Sequence, residues 1–298
     1  MKKPSLAGAA LWQAAPGPAK KSICGHRRGV LGGGGIRRAA VPFGRCGNEL
    51  AGAVLTFGMH HDNPALFERT SRQNRVLNGL PEASRHLLLQ HASLIELERD
   101  RVLYRSDGNI SAIYFPIQGT VALLVGAQDG APIEVAAVGN EGVVGITAVI
   151  GITRAPERAV VQFPGQALVV TARRFHEVLG CDEQFSLAMR RYLYLFLKEV
   201  MQSAACNRLH SVEERCARWL LIAHDRAGTD EFPLTQRFIA EMLGTRRANV
   251  NLALAAFGHA GAIDYSYRRI TILDRKQLES FACPCYRILR AAEIALRH

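Results

Sequence analysis

FPLTQRFIAEMLGTRRANVNLALAAFGHAGAIDYSYRRITIL, residues 232–273, decides how the rest of the chain is read. Thr235 stands where an N-cap is needed, and Phe238, Ile239, Met242 and Leu243 after it share one face of a short helix. Gly244 predicts a tight turn, because a residue without a Cβ accepts backbone angles that others resist. Thr245 is expected to cap a second helix that buries Val250, Leu254 and Phe257 at helical spacing. The other face of that helix carries Arg246, Arg247, Asn249 and Asn251, whose donors suit phosphate oxygens and base edges. Ala240, Gly244 and Val250 fall where a helix-turn-helix needs a small residue, a turn and an apolar anchor. The bland alternative is a helical hairpin whose basic face is merely solvated. The β-hairpin that follows, with Arg268 and Arg269 at its tip, favours a winged helix-turn-helix instead.

Working outward, charge is distributed unevenly. The 298-residue chain has a formal net charge of +11, but residues 1–58 hold nine Lys/Arg against one Glu. From Glu231 onward there are ten basic and six acidic residues, so the region of the motif is only mildly basic. Residues 1–58 are rich in Gly, Ala, Pro and Arg and keep no period of 2 or 3.6, which predicts a disordered extension. A basic nucleic-acid-binding arm and an organelle-type presequence are the alternatives there, and Met59, just before the composition changes, is a reasonable true start.

Upstream of the motif, NRVLNGLPEASRHLLLQHA (74–92) reads as a short helix, a break at Pro81 and a second helix. Strand-like runs follow: LIELE, RVLY, AIYFPIQG, TVALLVG, PIEVAAVG, GVVGITAVIG, AVVQFPG and ALVVT. Turns are expected at Asp107-Gly108, Gln118-Gly119, Asp129-Gly130 and Asn140, so the stretch 92–172 predicts a small β-sandwich or β-roll. A long helix begins at Asp182. Phe185, Met189, Tyr192 and Phe196 form one apolar stripe, and Leu193, Leu197, Val200 and Ala204 fill a neighbouring one. One stripe can lie on the roll and the other on a second copy of the helix, and the first is the expected dimer seam. An intramolecular core helix is the alternative. Ser211 with Glu214 makes a capping box that restarts the chain as a new helix.

The domains expected are an extension over 1–73, a β-roll over 74–180 and a dimerisation helix over 181–210. A winged helix-turn-helix over 211–282 and a tail helix over 283–298 complete an α+β chain. Seven scattered cysteines and no secretory signal fit reduced thiols in a cytoplasm, and no run is long and apolar enough for a bilayer. Cys283-Pro-Cys285 is too short a spacing to hold a metal alone, so neither a metal nor a cofactor is expected and the thiols read as packing. No phosphate loop, Gly-x-Ser-x-Gly elbow, His-Glu-x-x-His pair or paired-carboxylate motif occurs, and no enzyme is expected. Asp107, Asp129 and Glu134, on turns or strand ends, read as solvated acids.

This order of parts resembles the Crp/Fnr family of bacterial transcription regulators. VGNEGVVG (138–145), FPLTQRFIAEMLGTRRANV (232–250), ITILDRKQLE (270–279) and ACPCY (282–286) look like a common subgroup of it. The resemblance covers about Asn74 to Tyr286. It implies a homodimeric regulator of double-stranded DNA, working with RNA polymerase, whose roll senses a signal and whose helix after Gly244 enters the major groove. Arg247 and Asn251 are then the base readers, while Thr235, Gln236, Arg246, Asn249, Arg268 and Arg269 are placed for phosphates. The family's cyclic-nucleotide binders follow a Phe-Gly with a ribose-accepting Glu and set an Arg-Ser or Arg-Thr on the phosphate. Here Ile146 and Thr147 follow Gly145, and Ala159 follows Arg158, so a cyclic nucleotide is not expected. Two other functions compete: a small-molecule-binding module whose motif is vestigial, and a non-specific nucleic-acid binder acting through charge alone.

Overall fold

The computed structural model describes residues 64–126, 132–266 and 269–295. The extension 1–58, the Asp129-Gly130 turn and Arg268 lie outside the described residues. Ordered chain begins before the boundary drawn at residue 73. Helix α1 (Pro64–Ser71) is held by a 2.6 Å ion pair from Glu68 to Arg85 of α3 (Glu82–Leu89). Between them Asn74 caps α2 (Arg75–Asn78) with its Oδ1 and donates through Nδ2 to the carbonyls of Pro116 and Gly142, 2.9 Å each. One buried side chain thus starts a helix and ties it to the next domain.

That domain is a roll of two antiparallel sheets. β1 (Ala92–Leu97), β7 (Gly165–Thr171) and β3 (Ala112–Pro116) form one, in the order β1-β7-β3. β2 (Val102–Tyr104), β6 (Arg158–Phe163), β4 (Thr120–Val125) and β5 (Ile133–Val138) form the other, in the order β2-β6-β4-β5. Ile113, Phe115, Val121, Leu123, Val161 and Leu168 fill the core with apolar side chains. The run GVVGITAVIG is not a strand. Only Val144 bridges to Tyr114, after which Ile146–Ile150 is a 3-10 helix flanked by Gly145 (φ 90°) and Gly151 (φ 77°). Those left-handed angles close the turn at both ends and override the β propensity of its valines and isoleucines.

Helix α4 (Ala172–Cys181) leads into α5 (Glu183–Leu209), capped by Asp182. Phe185, Met189 and Tyr192 of α5 are buried in the roll core and Phe196 packs against it. The stripe expected to face a second copy therefore belongs to the chain's own core. Both sides of α5 are apolar, and the roll takes the side with the larger aromatic content. Tyr194, Leu197 and Met201, each more than half exposed, lie on the opposite side with Leu187.

The Ser211–Glu214 capping box starts α6 (Val212–Ala227), with both reciprocal hydrogen bonds formed. The remaining elements are β8 (Glu231–Pro233), α7 (Gln236–Leu243), α8 (Arg247–His259), β9 (Ile263–Ser266), β10 (Arg269–Ile272), α9 (Arg275–Phe281) and α10 (Cys285–Ala295). The sheet β8-β10-β9 is the wing, and Leu220, Ile239, Leu243, Val250, Leu254 and Phe257 pack beneath it. Phe163, at the end of β6, reaches into this second core against Phe232 and Phe238. Among the described residues no helix is long and apolar enough to cross a membrane.

Candidate nucleic-acid interface

Local chemistry positions the motif. The Thr235 hydroxyl accepts from the Phe238 amide at 3.1 Å and caps α7. Gly244 adopts φ 59°, ending α7 in a left-handed residue, and the Thr245 amide returns to the Ala240 carbonyl at 3.0 Å. Thr245 does not cap α8. Arg246 occupies the N-cap without a side-chain bond, and the Thr245 hydroxyl instead accepts from the Asn249 amide group at 3.1 Å. The turn is one residue longer than expected because Gly244 and Thr245 are both spent closing α7.

Across the two helices, Gln236 is a bridge. Its Nε2 donates to Asn251 Oδ1 at 2.8 Å, and its Oε1 accepts from Arg247 Nε at 3.1 Å. Arg247 and Asn251, one turn apart on the exposed face of α8, are thereby held side by side. The terminal guanidinium nitrogens of Arg247 keep no hydrogen-bond partner among the described residues. Beside them Leu252 is 71% exposed, with Ala248 and Ala255 also on the surface. Arg246 and Asn249 are exposed at the start of α8, and Thr235 and Gln236 half-buried at the start of α7. Arg269, at the base of the wing, forms an ion pair with Glu231 of β8. Six of the expected residues, Thr235, Gln236, Arg246, Arg247, Asn249 and Asn251, are thus brought together. Arg269 stands on the wing strand and is already paired.

A second polar site joins this domain to the roll. Arg226 of α6 donates from Nε to Glu141 Oε1 at 2.9 Å and from a terminal nitrogen to Glu199 Oε1 of α5 at 3.1 Å. Burial disfavours the cation, but Glu141 and Glu199 outweigh it and raise the Arg226 pKa above its ordinary value. Glu199 is raised by burial, against the pull of Arg226. Glu134 of β5 accepts from Gln162 Nε2 at 2.6 Å and from Trp219 Nε1 of α6 at 3.2 Å. Burial pushes its carboxyl up to about 7. Glu134 is therefore no merely solvated strand-end acid. Sequence offers no signal for this joint, since Arg226 and Glu141, like Trp219 and Glu134, lie 85 residues apart.

A third cluster also escapes sequence reasoning. Cys206 and His210, at the end of α5, meet Cys283 and Cys285 at the start of α10. The packing of small thiols expected there is correct for burial but leaves out the histidine, whose i,i+4 spacing from Cys206 is the available clue.

Residues 214–281 match the family described as the Crp-like helix-turn-helix domain. No match is found among curated proteins. Solved structures of similar fold include FixK2 from Bradyrhizobium japonicum, 19% identical with TM-score 0.56, covering 64% of this chain and 98% of that one. A CRP-family transcriptional regulator from Thermus thermophilus is 22% identical with TM-score 0.52, covering 63% and 96%. The c-di-GMP-responsive global regulator CLP of Xanthomonas campestris is 14% identical with TM-score 0.54, covering 64% and 99%. The chain thus carries a Crp-like helix-turn-helix domain over residues 214–281 and shares the fold of these solved regulators.

Proposed function

We propose that this protein is a sequence-specific, DNA-binding transcription regulator that acts as a homodimer on two-fold-symmetric sites. The observation that carries the reading is the Gln236 bridge, which holds Arg247 and Asn251 at an exposed helix face. Arginine pairs bidentately with guanine and asparagine with adenine, so the two have the chemistry to read adjacent bases in a major groove. Arg246, Asn249, Thr235 and Arg269 would set register on phosphates, which carry no sequence information themselves. Arg268, next to Arg269 in sequence, is assigned to the same task on its charge and sequence position.

Leu187, Tyr194, Leu197 and Met201 support the homodimer. They repeat at 7, 3 and 4 residues along the exposed side of α5, the spacing of a coiled-coil seam. A second copy packed there sets two recognition helices roughly 34 Å apart, one DNA turn. The protein would act in the cytoplasm, where its free thiols stay reduced, with RNA polymerase as its further partner. Ile146, buried in the roll core, supports a roll that does not take up a cyclic nucleotide in the family's manner, because it offers no acceptor for a ribose hydroxyl.

A second reading rests on two buried polar atoms. Arg158 Nε and Thr147 Oγ1 have no hydrogen-bond partner among the described residues, and a small anionic effector would supply one. Calorimetric titration with cyclic AMP and cyclic GMP separates the readings. Silence to millimolar concentration is expected, and micromolar binding would restore Arg158 as a phosphate ligand.

Selection of bound sites from genomic fragments tests the main proposal. A palindrome preferred over random duplex by about three decades or more, with half-sites one turn apart, is the expected result. Equal binding to all duplexes with a steep salt dependence would leave only a charge-driven binder. For the dimer, Leu197→Glu should sediment as a folded monomer that has lost its operator, and a variant that stays dimeric would move the seam elsewhere.

A further inference from the structure

Three buried thiols and an imidazole converge at the end of α5. Cys206 and His210 are one turn apart, so their side chains share a face; Cys283 and Cys285 flank Pro284 where α10 begins. All four donor atoms lie within 4.8 Å of one another. Cys206 Sγ is 3.5 Å from Cys283 Sγ, and Cys285 Sγ is 3.6 Å from His210 Nδ1. A tetrahedral zinc ion with bonds of about 2.3 Å to sulfur and 2.0–2.1 Å to nitrogen separates its sulfurs by about 3.8 Å, and sulfur from nitrogen by about 3.6 Å. The two spacings lie within a few tenths of an ångström of those edges. An iron–sulfur cluster spreads its thiolates over several irons and holds them farther apart. A disulfide needs its sulfurs at about 2.0 Å.

We propose that Cys206, His210, Cys283 and Cys285 form a Cys3His structural zinc site. Soft thiolates with one imidazole, four ligands and no open position are the donor set of a closed zinc centre. The surroundings fit the ion as well. Gln202 Nε2 donates to Cys285 Sγ at 3.1 Å, the kind of outer contact that orients a ligand and quiets its charge. Three thiolates on a dication leave one net negative charge. Arg218 of α6, buried beside the cluster, lies close enough to act electrostatically on Cys206 and Cys283, and its Nε has no hydrogen-bond partner among the described residues. Loading is a ligand exchange without redox change: three S–H bonds break, their protons go to solvent, and three Zn–S bonds and one Zn–N bond form. Because His210 ends α5 and Ser211 starts α6, the ion would fasten the tail helix to the joint between the long helix and the DNA-binding domain.

The test uses the full chain purified under reductant without chelator. One zinc per chain is expected. After removal of the metal, cobalt(II) titration should give the strong visible absorption of a tetrahedral thiolate site, with a thiolate-to-cobalt band in the near ultraviolet. Cys206→Ser and Cys283→Ser should each weaken metal affinity by about tenfold or more and diminish that band. Cys181→Ser, at an exposed thiol elsewhere, should change neither. Cobalt that stays octahedral in the folded wild-type chain would overturn the proposal without recourse to any variant. So would iron with stoichiometric sulfide, a Cys206–Cys283 disulfide in peptides from the reductant-free protein, or a cobalt spectrum that Cys283→Ser leaves unchanged.

Discussion

Arg226 and Arg247 lie in the same domain and carry the same charge, yet one is enclosed by carboxylates and the other reaches outward. Arg226 is 9% exposed and bound to Glu141 and Glu199, which come from the roll and from α5. Among the described residues Arg247 hydrogen-bonds only a neutral amide, through one of its three nitrogens. A buried cation with two acids is committed to the protein itself; replacing it leaves charge with nothing to balance it. An exposed guanidinium whose terminal nitrogens are free remains available to a ligand. The same residue type thus serves cohesion at the joint and, in the function proposed above, recognition at the surface, and the difference is one of partners.

The contrast can be broken most directly at Arg226. Arg226→Met should destabilise the fold by about 3–5 kcal/mol in denaturant unfolding, because Glu141 and Glu199 stay behind unbalanced. A loss below about 1 kcal/mol would mean that the joint is solvated and adds little. Arg247→Ala should leave unfolding nearly unchanged, cost about 1–3 kcal/mol of affinity on the best operator and relax preference at one base pair per half-site. Uniform weakening across a panel of single-base variants would demote Arg247 to a phosphate contact.

Glu134 sharpens the comparison through pH. Its carboxyl is pushed up to about 7 in the fold, against an ordinary value of 4.5, so the folded state binds the extra proton between those values. Its contribution to stability is therefore greatest below about pH 4.5, falls as pH rises toward 7, and becomes a constant cost of roughly 3 kcal/mol above that. Unfolding measured from pH 5 to 8 should show this decline, and Glu134→Gln should flatten it. An equal slope in the variant would assign the pH dependence to another group. The smallest effect is expected at Arg269, whose exposed ion pair with Glu231 is worth little. Arg269→Ala should shift stability by less than about 0.5 kcal/mol while lowering the salt slope of DNA binding by roughly one per subunit.

Sequence is legible where local physics decides. Thr235, Gly244 and the Ser211–Glu214 pair each act within one turn of chain, and each does what its residue type dictates. Most strands of the roll and the long helix also follow from periodicity. Legibility fails where a decision is made at a distance. GVVGITAVIG has strand composition, but the left-handed angles of Gly145 and Gly151 turn it into a 3-10 helix. Two sides of α5 are apolar, and only the position of the roll decides that Phe185, Met189 and Tyr192 go inside while Leu197 and Met201 stay out. Arg226 finds Glu141, and Cys206 finds Cys283, across 85 and 77 residues, separations at which spacing carries no information.

Leu252 gives the proposed recognition helix a different chemical vocabulary. Its side chain is exposed on α8 one residue after Asn251. An aliphatic group cannot count donors and acceptors; in a major groove it can sense only the presence of a methyl. The base pair it meets would be distinguished by thymine's C5-methyl, so uracil there should bind like a mismatch. Cytosine methylated at C5 should then mimic thymine in part, making that position of the operator responsive to DNA methylation without any change in the protein.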